Sequence, residues 1–153
     1  MFPLRGVSGK EIAVRPRPAL LPSELQAEWD IAAGTEVNVL LEGSPSEIEA
    51  SLDALRPYLR EPVCEFRPAQ GAEVPHASEG TLILLDVARL DAGQQAALLR
   101  WFDGFDGRVP VRIVSTSAES LFSLVGSGAF LSELYYRLNA LLIRLPGSDE
   151  RKS

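Results

Sequence analysis

"VNVLLEGSPSEIEASLDAL", residues 37–55, opens as an apolar run, turns at Gly43-Ser44-Pro45 and continues with apolar residues at helical spacing. Strand, glycine turn, helix is the local order of a phosphate-binding loop, whose backbone N–H groups at a helix N-terminus wrap the phosphates. A working loop of the form GxxxxGK[ST] also needs a second glycine and a lysine. Here Gly43 is followed by "SPSEIEA": Pro45 removes an amide, the second glycine is absent, and Glu47 and Glu49 bring negative charge. The same letters describe a capped helix. Ser44 serves as N-cap, Pro45 as N1 and Glu47 as N3, with Ile48, Leu52 and Leu55 on the buried face. Taken alone, the segment favours the capped structural helix.

Around this unit, apolar strand patterns alternate with helical ones. Strands are expected near 37–42, 62–66, 80–86, 110–115 and 140–145, and helices near 45–56, 92–102, 118–126 and 130–138. "SELQAEWDIAAG" predicts a further helix, with Ser23 and Gln26 in capping-box spacing, Trp29 as a packing anchor and Gly34 as terminator. The runs "LILL" and "ALLI" are continuously apolar rather than alternating, which predicts strands covered on both faces and hence a parallel sheet in a three-layer α/β sandwich. Residues 1–22, with "RPRPALLP", read as an irregular N-terminal arm, and 23–153 as one domain.

A chain of 153 residues is long enough to bury a core without a metal or disulfide staple. Fifteen basic against 21 acidic residues, a net charge of -6, disfavour direct binding of nucleic acid. The single cysteine, Cys64 in "PVCEF", has no partner for an internal disulfide and reads as a small buried residue. His76 lies in the polar loop 67–79 and reads as solvated. The chain shows no signal-peptide core and no run of membrane-spanning length, so a soluble, cytoplasmic protein is expected.

In an open α/β sheet, ligands sit beyond the carboxyl ends of the strands. Besides the Gly43 turn, two such ends carry polar groups. "TLILLD" ends in Asp86, a candidate for holding Mg²⁺ through water or for accepting a phosphoryl group, and equally a turn residue. "VRIVSTSAES" contributes Ser115, Thr116 and Ser117.

More specific is "GAFLSELYYRLNALLIRLPGSDER", residues 128–151, which resembles the signature G-x-F-R-x-D-L-Y-Y-R-L-N-x-x-x-I-x-L-P-x-L-R-E-R of the AAA+ domain of bacterial enhancer-binding proteins, the activators of sigma-54 RNA polymerase. "GTLILLDVARLDAGQQAALLRWF" is similar to that family's G-T-L-F-L-D-E-I-x-x-L-x-x-x-x-Q-x-x-L-L-R-x-L, "VRIVSTSAESL" to its V-R-I-I-A-A-T-x-x-x-L, and "VLLEG" to V-L-I-x-G before the P-loop. The resemblance covers about residues 23–151 and implies the P-loop NTPase fold, a parallel five-stranded sheet of order 5-1-4-3-2. It stops before the helical lid and the helix-turn-helix, so an α/β subdomain without the lid is expected.

The departures bear on activity. Aligned without gaps, Glu49 stands at the P-loop lysine, Leu85 at the metal-binding aspartate, Asp86 at the water-activating glutamate and Ala118 at the polar sensor. Of the two arginines with which the family reaches a neighbouring subunit's nucleotide, Leu131 replaces the first and Arg137 keeps the second. The stretch between the second and third strands is too short for the family's GAFTGA loop, which touches the sigma factor. The expected degenerate nucleotide-site positions are thus Gly43, Ser44, Ser46, Glu49, Asp86 and Ser117, with Arg137 either facing a partner or held in a structural ion pair.

The expectation is a catalytically inactive, sigma-54-activator-like binding or regulatory module. ATP and Mg²⁺ are implied by resemblance only and their binding is expected to be weak or absent. A protein partner is expected, either a competent AAA+ activator or a transcription component, with the isolated chain a monomer or small oligomer. The alternatives are a weak ATP-binding regulator with residual ATPase activity and a receiver-like signalling domain phosphorylated at Asp86. Against the receiver, Glu42 has no acidic neighbour and "IRLPG" has no lysine.

Overall fold

The computed structural model describes residues 14–105 and 109–146. A 3-10 turn, Ser23–Leu25, leads into α1 (Gln26–Gly34), followed by β1 (Val39–Glu42), α2 (Pro45–Leu55), β2 (Val63–Phe66), β3 (Gly80–Leu84), α3 (Ala92–Asp103), β4 (Val111–Ser117), α4 (Leu121–Ser127), α5 (Ser132–Leu138) and β5 (Leu141–Arg144). All strand pairs are parallel, in the order β2-β3-β4-β1-β5. This is the expected 5-1-4-3-2 order of the P-loop NTPase fold. It differs from the 2-1-3-4-5 order of receiver-type sheets.

Strand side chains alternate between two cores. On one face Val39, Leu41, Ile83, Val114 and Ile143 meet Trp29 and Ala32 of α1 and Ile48, Leu52 and Leu55 of α2. On the other, Leu40, Leu82, Leu84 and Ile113 meet Leu98 and Phe102 of α3, Leu121 of α4, and Leu134 and Leu138 of α5. Burial on both faces explains the unbroken apolar runs of β1 and β3. At the start of β3, Gly80 has φ +81°, and a Cβ there would lie 2.1 Å from the Pro62 carbonyl oxygen, so only glycine fits.

Buried in β4, Arg112 donates from Nε to the Val37 carbonyl (2.8 Å) and from Nη2 to the Ala32 carbonyl (2.6 Å), which ties the end of α1 to the sheet. Burial lowers its pKa, and Glu36 acts in the opposite direction.

Several local expectations are corrected. Ser23 is not the cap of α1: it lies in the 3-10 turn, and Gln26, freed from a capping role, turns its amide to Arg15, Arg17 and Asp30. The third strand ends at Leu84 rather than 86, and α4 begins at Leu121 rather than 118. Cys64 is exposed, not buried, because β2 is the sheet's edge and its residues are largely uncovered. Trp29 is fully buried, as an anchor requires, and Leu21, in the arm, is also buried. The arm residues 1–13 and the end of the C-terminal signature, 147–151, lie outside the described residues. Among the described residues no helix is long and apolar enough to cross a membrane.

Candidate functional site

The carboxyl edge of the sheet brings together most of the expected positions. β1 and β4 end in register, Glu42 opposite Ser117, and the Gly43 amide donates to the Ser117 carbonyl (3.1 Å). Just beyond β3, the Asp86 amide donates to Thr116 Oγ1 (2.8 Å). Gly43, Ser44, Asp86 and Ser117 are therefore neighbours on one edge, with Ser46 in the first turn of α2.

At the N-terminus of α2, where a phosphate would find free amides, the chain supplies its own anion. Glu47 Oε1 accepts from the Ser44 amide (3.0 Å) and from Ser44 Oγ (2.8 Å), while Ser44 Oγ accepts from the Glu47 amide (3.3 Å). Pro45 contributes no amide, and the Ile48 amide is spent on the Ser44 carbonyl. Behind this turn, a Cβ on Gly43 would come within 2.7 Å of Leu145 Cβ. The glycine is thus required by close approach to the segment after β5. Glu49 is exposed on the following turn.

The second strand end is built for shape. Asp86 sits at φ 59°, ψ 57°, a left-handed conformation costly for most residues but better tolerated by Asp and Asn. Its carboxylate pairs with Arg89 Nε at 3.0 Å. Leu85, at the position the resemblance assigns to the metal-binding acid, packs against the α1/α2 core. Ser117 Oγ is turned back on its own chain, donating to the Glu119 carbonyl (2.6 Å) and accepting from the Glu119 amide (3.1 Å).

Glu42 was not among the expected site residues, yet it is the buried carboxylate of this edge. It accepts from the Leu121 amide at the start of α4 (3.0 Å) and lies 3.5 Å from Arg144 Nε. A lone acid closing an apolar strand was its only sequence signal. Gln95, also unforeseen, is buried and binds the Leu90 and Ala129 carbonyls and the Leu131 amide, which fixes the turn between α4 and α5.

Arg137 stands apart. It ends α5 at the amino edge of the sheet, where its carbonyl accepts from Asn38 Nδ2. Its guanidinium pairs with Asp103 at 2.6 Å and lies 5.4 Å over the Phe102 ring. It is on the opposite side of the sheet from Gly43. In the "LYYRLN" stretch, whose two tyrosines the sequence places on the core side, Tyr135 is buried but Tyr136 is 65% exposed, because consecutive residues of a helix face about 100° apart and only one of them meets the core.

The family described as the sigma-54 interaction domain matches residues 61–147, more than half of the chain. The chain belongs to the sigma-54 interaction domain family. This match begins after α2, so the Gly43 turn lies outside it. Among curated relatives, the response regulator protein PilR of Pseudomonas aeruginosa is 39% identical over 85 residues, covering 50% of this chain and 19% of PilR. The Nif-specific regulatory protein of Azotobacter vinelandii is 40% identical over 84 residues, 49% of this chain and 16% of that protein. The chain thus spans less than a fifth of either relative. Among solved structures, NtrX from Brucella abortus in complex with ATP superposes with a TM-score of 0.61 at 20% identity, over 88% of this chain and 36% of NtrX. The P-loop NTPase domain of a sigma-54 transport activator from E. coli gives 0.57 at 21% identity, over 73% of this chain and 98% of that domain. These likenesses establish the fold.

Proposed function

We propose that this sigma-54 interaction domain is a binding and regulatory module of bacterial transcription control that does not turn over ATP. The carrying observation is the Glu47 carboxylate seated on the Ser44 amide at the N-terminus of α2. A phosphate brought to that helix end meets a carboxylate already seated on the Ser44 amide and in the helix field. Two like unit charges about 4 Å apart repel by about 4 kcal/mol at a partly screened surface. That is as large as the whole free energy of millimolar binding, also about 4 kcal/mol. Glu49 adds negative charge at the lysine position, and the Leu85 side chain offers a metal no oxygen. In this reading neither ATP nor Mg²⁺ is a resident cofactor.

The working surface is instead the edge carrying Arg137. An exposed ion pair such as Arg137–Asp103 contributes only about 0–1 kcal/mol. Exchanging Asp103 for an anion on a partner is therefore inexpensive. A competent AAA+ activator, whose bound nucleotide presents phosphate at its subunit edge, is the partner that fits. The acidic balance of the domain argues against a direct grip on nucleic acid.

Phosphate-release assays test this reading. The domain alone is expected to release no phosphate above the buffer rate, and adding it to a competent sigma-54 activator is expected to change that activator's rate in a way lost with Arg137→Ala. Steady turnover by the isolated domain would refute it.

A further inference from the structure

The arm residues 14–18 form no helix or strand, yet they are read by α1 as a peptide ligand is read. Three consecutive main-chain groups are bound by side chains of that helix. The Arg15 amide donates to Asp30 Oδ1 (2.8 Å), the Arg15 carbonyl accepts from Gln26 Nε2 (2.9 Å), and the Pro16 carbonyl accepts from Trp29 Nε1 (2.7 Å). Side-chain recognition is superimposed: Arg17 Nη1 donates to Gln26 Oε1 (2.6 Å), and the Arg15 guanidinium lies 5.7 Å over the Tyr58 ring. Gln26, Trp29 and Asp30 share one helix face at i, i+3 and i+4. Gln26 also donates to Asp30 Oδ1 at 2.8 Å, so the two polar readers hold each other in place.

The segment suits such a site. Pro16 and Pro18 preset φ and remove amides, so "RPRP" is extended before docking and loses little entropy when bound. Leu21, buried just beyond it, anchors the connection to α1: its amide donates to the Pro18 carbonyl (2.9 Å) and its carbonyl accepts from Arg17 Nε (2.9 Å). We propose that Gln26, Trp29 and Asp30 form a recognition site for an extended Arg-Pro-Arg-Pro segment, which residues 14–18 occupy in cis as an exchangeable strap. This inference does not depend on whether the domain binds nucleotide.

The test adds unlabelled peptide VRPRPAL, residues 14–20, to the isotopically labelled full chain and follows amide and indole resonances. An added peptide competes with the strap's own effective concentration, about millimolar for a short connection. In an Arg17→Ala chain the strap alone has lost its guanidinium contact, and half-displacement should occur at about tenfold lower peptide. The expected result is that strap resonances in that chain move to disordered positions while the Trp29 indole N–H keeps its bound position. Strap resonances that stay fixed in the Arg17→Ala chain at roughly ten times the effective concentration, or that shift only together with the sheet, would overturn the proposal.

Discussion

Glu47 Oε1 lies 3.0 Å from the Ser44 amide and 2.8 Å from Ser44 Oγ, a reciprocal cap in the position from which a nucleotide-binding loop would address phosphate. In the proposed reading, the bonds that cap the helix also keep phosphate away. Ser44→Ala and Glu47→Ala are each expected to cost about 1 kcal/mol, typical of a lost N-cap. Because the two residues cap one another, the double variant should cost less than the sum. Urea denaturation of the three variants checks this.

Restoring the lysine alone should not restore a site. Glu49→Lys leaves Glu47 on the Ser44 amide, so ATP affinity is expected to stay weaker than roughly millimolar, whereas Glu47→Ala combined with Glu49→Lys should bind measurably better. Equilibrium dialysis with labelled ATP separates the two. Equal affinity in both variants would mean that the cap is not what excludes phosphate.

Gly43 is held by packing, since a Cβ would lie 2.7 Å from Leu145 Cβ. Gly43→Ala is expected to destabilise by about 1–3 kcal/mol, as overpacking does, read as a lower thermal midpoint with the fold retained.

Asp86 is held by its backbone. Its left-handed φ of 59° makes Asp86→Gly nearly neutral, while Asp86→Val, β-branched in that conformation, should cost about 1–3 kcal/mol. Chemical denaturation distinguishes this from a role for the carboxylate, under which both variants would behave alike.

How far the sequence was legible depended on the range of the interaction. Buried strands announce themselves as apolar runs, and the box at Ser44 and Glu47 spans only three residues, so β1 and α2 were readable, whereas the order of the strands came from the family resemblance. Cys64 misled because an apolar neighbourhood does not say whether a strand lies at the centre or at the edge of a sheet. Asp86 read equally as a carboxylate placed for chemistry and as a turn residue, since nothing local distinguishes the two. The strap was invisible for a different reason: Arg15 reaches Asp30 and Pro16 reaches Trp29 through bonds that leave no periodicity behind.

Arg112 illustrates a charged residue inside a strand that the apolar pattern passes over. Arg112→Leu removes hydrogen bonds to the Ala32 carbonyl in α1 and the Val37 carbonyl after it and is expected to cost about 2–4 kcal/mol, because the Ala32 carbonyl loses its partner while buried. Hydrogen exchange should show α1 opening first.

Arg137 offers the contrasting case. Its pair with Asp103 is exposed, so Arg137→Ala should change stability by under about 1 kcal/mol while weakening any assembly with a competent activator. In isolation the domain is expected to scatter light as a monomer or small oligomer, and a stable nucleotide-free hexamer would contradict that.

In the proposed reading, the Gly43 turn retains the shape of a nucleotide loop without its affinity. Calorimetric titration of the purified chain with ATP and Mg²⁺ addresses it most directly. No binding tighter than roughly millimolar is expected, and micromolar affinity at this turn would show that the loop still holds nucleotide.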